Sequence, residues 1–207
     1  SVPAENTIQR WYFMHLTLPI VLTLSRVAVI PIFVALFFLE SATGQWIACG
    51  VFTLAAITDF FDGYLARARG QISAFGKFLD PVADKLLVAS ALLMMVGFGQ
   101  IAELAIIPAV IILCREIMVS GLREFLAGMS VGLPVSKLAK WKTTIQMVAI
   151  GILILGNAVH PVIPETIPVR LIGEAGLWIA AVITIITGYD YLRAGLRHMD
   201  PPPAAGS

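Results

Sequence analysis

Residues 58–85 read TDFFDGYLARARGQISAFGKFLDPVADK and carry four aspartates between two apolar segments of the chain. The aspartates are Asp59, Asp62, Asp80 and Asp84. A charged group near the centre of a membrane helix costs about 2.5 to 3.5 kcal/mol, so carboxylates beside apolar segments require an explanation. The pattern predicts two antiparallel helices joined by a short polar loop, with the four carboxylates gathered at one end of the pair.

The composition around this segment predicts an integral membrane protein. Of the 207 residues, 58% are hydrophobic and 13% are charged, whereas about 25% of the residues in a soluble domain are charged. A membrane helix needs about 17 to 25 apolar residues. Six such segments occur, at about 20–39, 46–66, 82–98, 101–125, 142–159 and 171–192. We therefore expect an all-α membrane protein with six transmembrane helices in one domain, residues 1–199.

The charged residues predict how the chain is oriented and which partners it lacks. Every Lys and Arg except Arg170 falls on the side of the predicted membrane that holds the N-terminus. Because cytoplasmic loops retain basic residues, both termini are expected in the cytoplasm. Residues 4–16 are expected to form a helix in the membrane interface, and the proline-rich tail 200–207 is expected to be disordered. A net charge of +1 offers no basic face for nucleic acid.

The four aspartates predict a divalent-metal site. On a helix, Asp59 and Asp62 lie about 60° apart. Asp80 and Asp84 share a face, with Asp80 expected to cap a helix that begins at Pro81. Four carboxylates held close together cannot all stay ionised without a cation between them. Oxygen ligands favour Mg²⁺, Mn²⁺ or Ca²⁺.

The neighbours of these aspartates predict phosphate chemistry. Gly63 and Ala66 leave the same helix face bare, so a flat or bulky group can approach it, and Arg67 can donate a bidentate pair to a phosphate. Two metal ions about 4 Å apart would stabilise the attacking and leaving oxygens of an in-line displacement and leave one carboxylate as base. Taken singly, each residue could instead be a helix cap, a surface ion pair or a packing contact.

The residues also follow a fixed spacing. It is occupied at all eight positions, by Asp59, Asp62, Gly63, Ala66, Arg67, Gly76, Asp80 and Asp84. This pattern resembles the motif of the CDP-alcohol phosphatidyltransferases. The resemblance implies a homodimeric six-span fold in a bacterial inner membrane, with the active site facing the cytoplasm. It also implies two Mg²⁺ or Mn²⁺ ions and transfer of a phosphatidyl group from CDP-diacylglycerol to an alcohol, releasing CMP.

The same resemblance implies roles for the individual motif residues. The ligands of the two metal ions correspond to the motif carboxylates Asp59, Asp62, Asp80 and Asp84, and Asp84 also corresponds to the general base. The nucleotide-binding face corresponds to Gly63, Ala66 and Arg67. In the first span, Thr23 and Arg26 are expected to contact CDP-diacylglycerol, although the Arg26 side chain could instead extend to the membrane interface.

A second charged group lies in the fourth and fifth predicted spans. Arg115 and Arg123 lie about 80° apart around a helix and about 12 Å along it, so both can border one polar cavity. Three lysines complete the group: Lys137, Lys140 and Lys142. Because Arg and Lys bind phosphate, the group predicts an anionic acceptor. Alternatively, Arg115 pairs with Glu116 or a motif carboxylate, and the lysines only follow the positive-inside rule.

The segments REI, VSGLRE and KWKTT, with TLPIVLTLSRV in the first span, resemble the branch of the family whose acceptor is glycerol 3-phosphate. Two other functions stay open. The first is the same chemistry with an inositol phosphate or another alcohol as acceptor. The second is transport of a divalent cation, because intramembrane carboxylates also mark ion pathways.

Overall fold

The computed structural model describes residues 18–69, 74–128, 137–159, 162, 164 and 166–199, and only the backbone of residues 18–23, 59–69, 74–81, 137, 157 and 197–199. Within these residues the secondary structure is entirely helical. Six long helices occur: α1 (Leu18–Phe37), α2 (Ala42–Arg69), α3 (Ala74–Gly97), α4 (Ile106–Gly128), α5 (Lys137–Leu155) and α6 (Val169–Met199). Single 3-10 turns cover Glu103–Ala105 and Gly156–Val159. The all-α prediction is confirmed for this part of the chain, and segments 4–16 and 200–207 lie outside it.

Three of the described helical stretches are long and apolar enough to cross a membrane. They are Glu103–Gly128, Leu138–Leu155 and Val169–Leu196, and shorter apolar stretches cover Leu24–Phe37 and Ala42–Thr58. Large apolar side chains point outward from these helices, for example Leu93, Phe125 and Ile185, each more than half exposed. Apolar surface of this extent faces lipid in membrane proteins. The chain is therefore a membrane protein.

The helices around the aspartates are longer than the apolar pattern predicts. Helix α2 continues to Arg69 and α3 already begins at Ala74. Once a helix is nucleated, each further residue adds a hydrogen bond, so the helix continues into polar residues that hydropathy does not report. The prediction that a helix begins at Pro81 with Asp80 as its cap is wrong, because both residues lie inside α3. Helices in membrane proteins accommodate such prolines when neighbouring groups satisfy the freed carbonyl.

A cluster of phenylalanines packs α1 against α2 and against the end of α3. The Phe33 ring lies 5.2 Å from the Phe37 ring and 6.1 Å from the Phe52 ring, and the Phe37 and Phe98 rings are 5.7 Å apart. Phe33 and Phe52 are fully buried. We call these four residues the aromatic region; its contacts hold together the ends of the helices that lie away from the aspartates.

The chain direction places the aspartates together. Asp59 and Asp62 lie in the last part of α2, and Asp80 and Asp84 lie in the first half of α3. Only residues 70–73 separate the two helices. A connection of four residues brings the end of one helix beside the start of the next. The four motif positions are therefore at the same end of the α2–α3 pair.

Candidate active site

Asp84 is the motif aspartate whose side chain the structure describes. For Asp59, Asp62, Gly63, Ala66, Arg67 and Asp80, as for Thr23 and Lys137, the description covers the helical backbone alone. The Asp84 carboxylate is partly buried and lines a cavity of about 690 Å³ between α2, α3 and α5. It shares this cavity with Ala56 and Ile57 of α2. Asp84 therefore faces the turn of α2 that directly precedes Asp59.

The cavity beside Asp84 is otherwise apolar. Its lining includes Phe52, Met147, Val148, Ile152 and Leu155, with a few hydroxyl and small side chains. Two of those hydroxyls are already engaged, because Thr143 donates to the Ala139 carbonyl at 3.1 Å and Thr144 to the Lys140 carbonyl at 3.2 Å. Among the described lining residues, Asp84 is the only ionisable one. A slot of this composition can bury alkyl chains beside a single carboxylate.

The donor set at this end of α2 and α3 fits hard divalent ions. It consists of four carboxylates on two adjacent helices, and carboxylate oxygens are preferred ligands of Mg²⁺ and Mn²⁺. Asp84 of α3 lines the same cavity as Ala56 and Ile57, the residues of α2 that lie just before Asp59, which supports this fit. Bound there, such ions would neutralise phosphate oxygens and stabilise a leaving group.

Glu116 is the centre of an ionic cluster that joins α3, α4 and α5. Its carboxylate accepts a hydrogen bond from Lys142 Nζ, and it lies 3.4 Å from Arg115 Nη1 and 3.9 Å from Lys85 Nζ. The Lys142 side chain is 3% exposed and that of Glu116 is 14% exposed. Charges this buried must be paired. Because three cations surround one carboxylate, the cluster keeps an excess of positive charge; we call these four residues the charged region.

A small polar pocket of about 290 Å³ opens beside the charged region. Three cationic side chains line it, Lys85, Arg115 and Arg123, together with the carboxylates of Glu116 and Glu124. The structure thus brings Arg115 and Arg123 to one pocket and adds Lys85, which the sequence reasoning did not select. Its volume and its cations suit a small anion such as a phosphate ester.

The remaining candidate residues lie apart from this pocket. Lys140 is exposed on α5, and Lys142 reaches the pocket only through Glu116. Arg26 is 3% exposed on α1. Lys142 and Asp84 interact electrostatically, which connects the charged region with the carboxylate end of the apolar cavity. The Glu116 contact to Arg115 corresponds to one of the two predicted alternatives for that arginine.

Two further contacts of Arg115 were missed by sequence reasoning. Its Nη2 donates to Thr187 Oγ1 at 3.0 Å, and its guanidinium carbon lies 5.6 Å from the centre of the Tyr191 ring. Both partners are on α6, more than seventy positions along the chain. A charged residue inside an apolar segment signals that partners exist, but nothing in the local pattern identifies them.

The chain matches the family model described as CDP-alcohol phosphatidyltransferase over residues 16–186. Relatives named CDP-diacylglycerol–glycerol-3-phosphate 3-phosphatidyltransferase match along most of their length. The protein of Rickettsia bellii is 48% identical, over 86% of this chain and 94% of its own. That of Cereibacter sphaeroides is 40% identical, over 90% of this chain and 98% of its own. The Haemophilus influenzae protein is 41% identical, over 87% of this chain and 94% of its own.

Two solved structures share the fold. The phosphatidylinositol phosphate synthase of Mycobacterium tuberculosis in its apo form gives a TM-score of 0.62 at 20% identity, over 89% of this chain and 92% of that one. The same enzyme in complex with manganese and citrate gives a TM-score of 0.61 at 18% identity, over 91% of this chain and 85% of that one. With the family match, these likenesses confirm the resemblance predicted from the aspartate spacing. The chain belongs to the CDP-alcohol phosphatidyltransferase family.

Proposed function

We propose that this protein transfers the phosphatidyl group of CDP-diacylglycerol to glycerol 3-phosphate, giving phosphatidylglycerophosphate and CMP in phospholipid biosynthesis. The pocket where Lys85, Arg115 and Arg123 meet carries the proposal. An acceptor that bears a phosphate needs such cations, whereas serine or an uncharged alcohol does not. The name shared by relatives that are 40% to 48% identical supports the same acceptor.

The lipid substrate is assigned to the cavity beside Asp84. Its apolar lining suits part of the diacylglycerol moiety. The nucleotide end is assigned to Gly63, Ala66 and Arg67 near the end of α2, and to Thr23 and Arg26 of α1. The bare helix face at Gly63 and Ala66 gives the cytidine room, and the guanidinium of Arg67 can pair with the pyrophosphate.

The proposed chemistry is a direct displacement at phosphorus. Two Mg²⁺ or Mn²⁺ ions held by Asp59, Asp62, Asp80 and Asp84 would neutralise the pyrophosphate and stabilise the departing CMP. Asp84 takes the proton of the primary hydroxyl of glycerol 3-phosphate. That hydroxyl oxygen forms a bond to the phosphorus that bears diacylglycerol, and the bond from this phosphorus to the CMP oxygen breaks.

The acceptor's phosphate is assigned to Arg115 and Arg123. Each guanidinium can donate two parallel hydrogen bonds to phosphate oxygens. Lys137 and Lys140 add positive charge on the same side of the bundle. Lys142 has a supporting role, because it balances the charge of the Glu116 carboxylate beside the pocket. This arrangement leaves Arg115 and Arg123 as the pocket's direct phosphate donors.

The proposed setting is the inner membrane of a bacterium. All six helices would span it in one domain, with both termini and the active site in the cytoplasm. Arg170 is the one basic residue expected on the opposite side of the membrane from the N-terminus, and its surroundings support this orientation. It lies at the start of α6, away from the aspartates, and is neutralised by Glu174 at 2.8 Å. We also propose a homodimer, as the family resemblance implies.

An acceptor panel tests the proposed function. CMP release from CDP-diacylglycerol is measured with purified protein in detergent, with Mg²⁺ or with a chelator, using glycerol 3-phosphate, inositol phosphate, inositol, serine or no acceptor. We expect release that requires both the metal and glycerol 3-phosphate. Release with another alcohol would overturn the acceptor assignment but keep the metal site. Metal-driven flux into vesicles without CMP release would favour a cation transporter instead.

A further inference from the structure

Helix α6 forms a cradle for the side chain of Arg115. Thr187 Oγ1 accepts a hydrogen bond from Arg115 Nη2 at 3.0 Å, and the same hydroxyl donates to the Ile183 carbonyl at 2.9 Å. Because the Thr187 hydroxyl donates its hydrogen to that carbonyl, a lone pair of its oxygen is directed at the Arg115 guanidinium. The buried Tyr191 ring, one helical turn further, lies 5.6 Å from the guanidinium carbon, a distance suited to a cation–π contact.

The backbone of α6 completes this cradle. A Cβ atom at Gly188 would lie 3.1 Å from Arg115 Cγ and 3.5 Å from its Nε, so the side chain of the arginine runs along bare backbone. The same close contact between a glycine of α6 and a side chain of α4 occurs seven residues later, since a Cβ at Gly195 would lie 2.9 Å from Leu122 Cδ1. Arg115 and Leu122 are also seven apart. Helices α4 and α6 therefore pack in a matched register that gives the arginine a defined groove.

Arg115 is consequently held from two sides. Nη1 lies 3.4 Å from Glu116 on its own helix, and Nη2 is bonded to Thr187 on α6. A guanidinium carries five N–H donors in one plane. The contacts to Glu116 and Thr187 fix the plane of the guanidinium. The remaining N–H groups on Nη1 and Nη2 can then donate to a ligand in the pocket that Arg115 lines.

We propose that Thr187, Gly188 and Tyr191 are positioning residues that set the affinity of the enzyme for an acceptor's phosphate, by holding Arg115 in its phosphate-binding orientation. This inference rests on the proposed function. A long side chain loses rotamer freedom when it binds a ligand, and a side chain that is already ordered loses less. None of the three residues belongs to the aspartate motif, and all lie beyond the residues matched by the family model.

Threonine variants on α6 test this inference. Thr187→Val keeps the shape of the side chain and removes its hydrogen bond to Arg115. We expect the KM for glycerol 3-phosphate to rise about tenfold, as for loss of a hydrogen bond to a charged group. The KM for CDP-diacylglycerol should stay within about twofold. Thr187→Ser should restore the acceptor KM, because the hydroxyl returns.

Thr184→Val is the matched control. Thr184 lies one turn earlier on α6 and is fully buried, and its hydroxyl oxygen has no hydrogen-bond partner within the described residues. The same substitution there should leave both KM values unchanged. Equal effects of the two valine variants, or parallel changes in the KM values of both substrates, would overturn the positioning role.

Gly188→Ala is a second variant that does not depend on the threonine. The new Cβ would press on Arg115 Cγ at 3.1 Å and displace the flexible arginine side chain. It should raise the acceptor KM alone. If neither variant raises it, the positioning role is wrong. If the unaltered enzyme releases CMP with a different phosphorylated acceptor, the proposed substrate is wrong, and the same variants measured with that acceptor still decide the role of α6.

Discussion

The charged region and the aromatic region of the bundle are built from different kinds of contact. Around Glu116, the partners are ionic and include a lysine whose side chain is 3% exposed. Around Phe33, the partners are aromatic rings at 5.2 and 6.1 Å. Aromatic packing stabilises a fold without creating charge, whereas buried charges are costly unless they are paired. Substitutions in the aromatic region should therefore change stability without changing catalysis, whereas substitutions in the charged region can change both.

The largest effect is expected at Asp84. Asp84→Asn removes the base that takes the acceptor's proton, and we expect kcat to fall by about 10²- to 10⁴-fold. Binding of CDP-diacylglycerol should survive, because Asp59, Asp62 and Asp80 remain to hold the metal ions and the amide keeps the size of the side chain. The rate of CMP release measures kcat, and equilibrium binding measures the affinity for CDP-diacylglycerol.

Glu40→Gln is the control for that variant. Glu40 is an exposed carboxylate in the turn after α1, near the aromatic region. Its conversion to the amide should leave CMP release unchanged. A nearly normal rate in the Asp84 variant would remove Asp84 from the role of base.

Phe33→Ala should separate stability from chemistry. It removes a fully buried ring from the aromatic region, and such a cavity costs about 3 to 5 kcal/mol of unfolding free energy. The KM values of the folded fraction should not change. Thermal unfolding in detergent measures the loss, and Phe38→Ala, whose ring is 68% exposed, should lose much less. A selective rise in the acceptor KM would contradict the separation.

Glu116→Gln should affect both properties. It removes the carboxylate that is hydrogen-bonded to the buried Lys142 ammonium, and breaking a buried pair in this way costs about 3 kcal/mol. It also frees one side of Arg115, so the acceptor KM should rise. Unfolding and CMP release measured on the same preparation reveal both effects.

The exposed Arg170–Glu174 pair supplies the comparison for Glu116. Arg170 is 50% exposed there, and exposed pairs contribute at most about 1 kcal/mol. Glu174→Gln should therefore change neither stability nor KM appreciably. Equal losses in the two variants would mean that the Glu116 cluster is ordinary surface pairing.

The smallest effect is expected at the rim of the acceptor pocket. Arg123 lines the pocket but is exposed, so water screens its attraction to phosphate. Arg123→Ala should raise the KM for glycerol 3-phosphate by about three- to tenfold. This increase in KM should become smaller as the ionic strength rises, because salt screens the charge of Arg123. Arg170→Ala, at the other end of α6, should leave that KM unchanged. A KM that does not respond to Arg123 would remove this residue from the pocket.

The helices were predictable from the sequence because each rests on an apolar segment. The same pattern missed that α2 reaches Arg69 and that α3 begins at Ala74, since hydropathy reports the lipid-facing part of a helix and not its polar extension. Helical angles alone placed Arg115 and Arg123 at one cavity, and one pocket does contain both. The partners Lys85, Thr187 and Tyr191 could not be predicted, because tertiary packing brings them from other helices.

A competition experiment shows most directly whether the charged region selects a phosphate-bearing acceptor for phosphatidyl transfer. Purified enzyme with CDP-diacylglycerol and Mg²⁺ is given equal concentrations of glycerol 3-phosphate, inositol phosphate and serine, and the lipid products are identified by mass spectrometry. We expect phosphatidylglycerophosphate as the dominant product, formed in the same amount as CMP. A dominant phosphatidylserine product, or CMP release with no preference among the three, would contradict it.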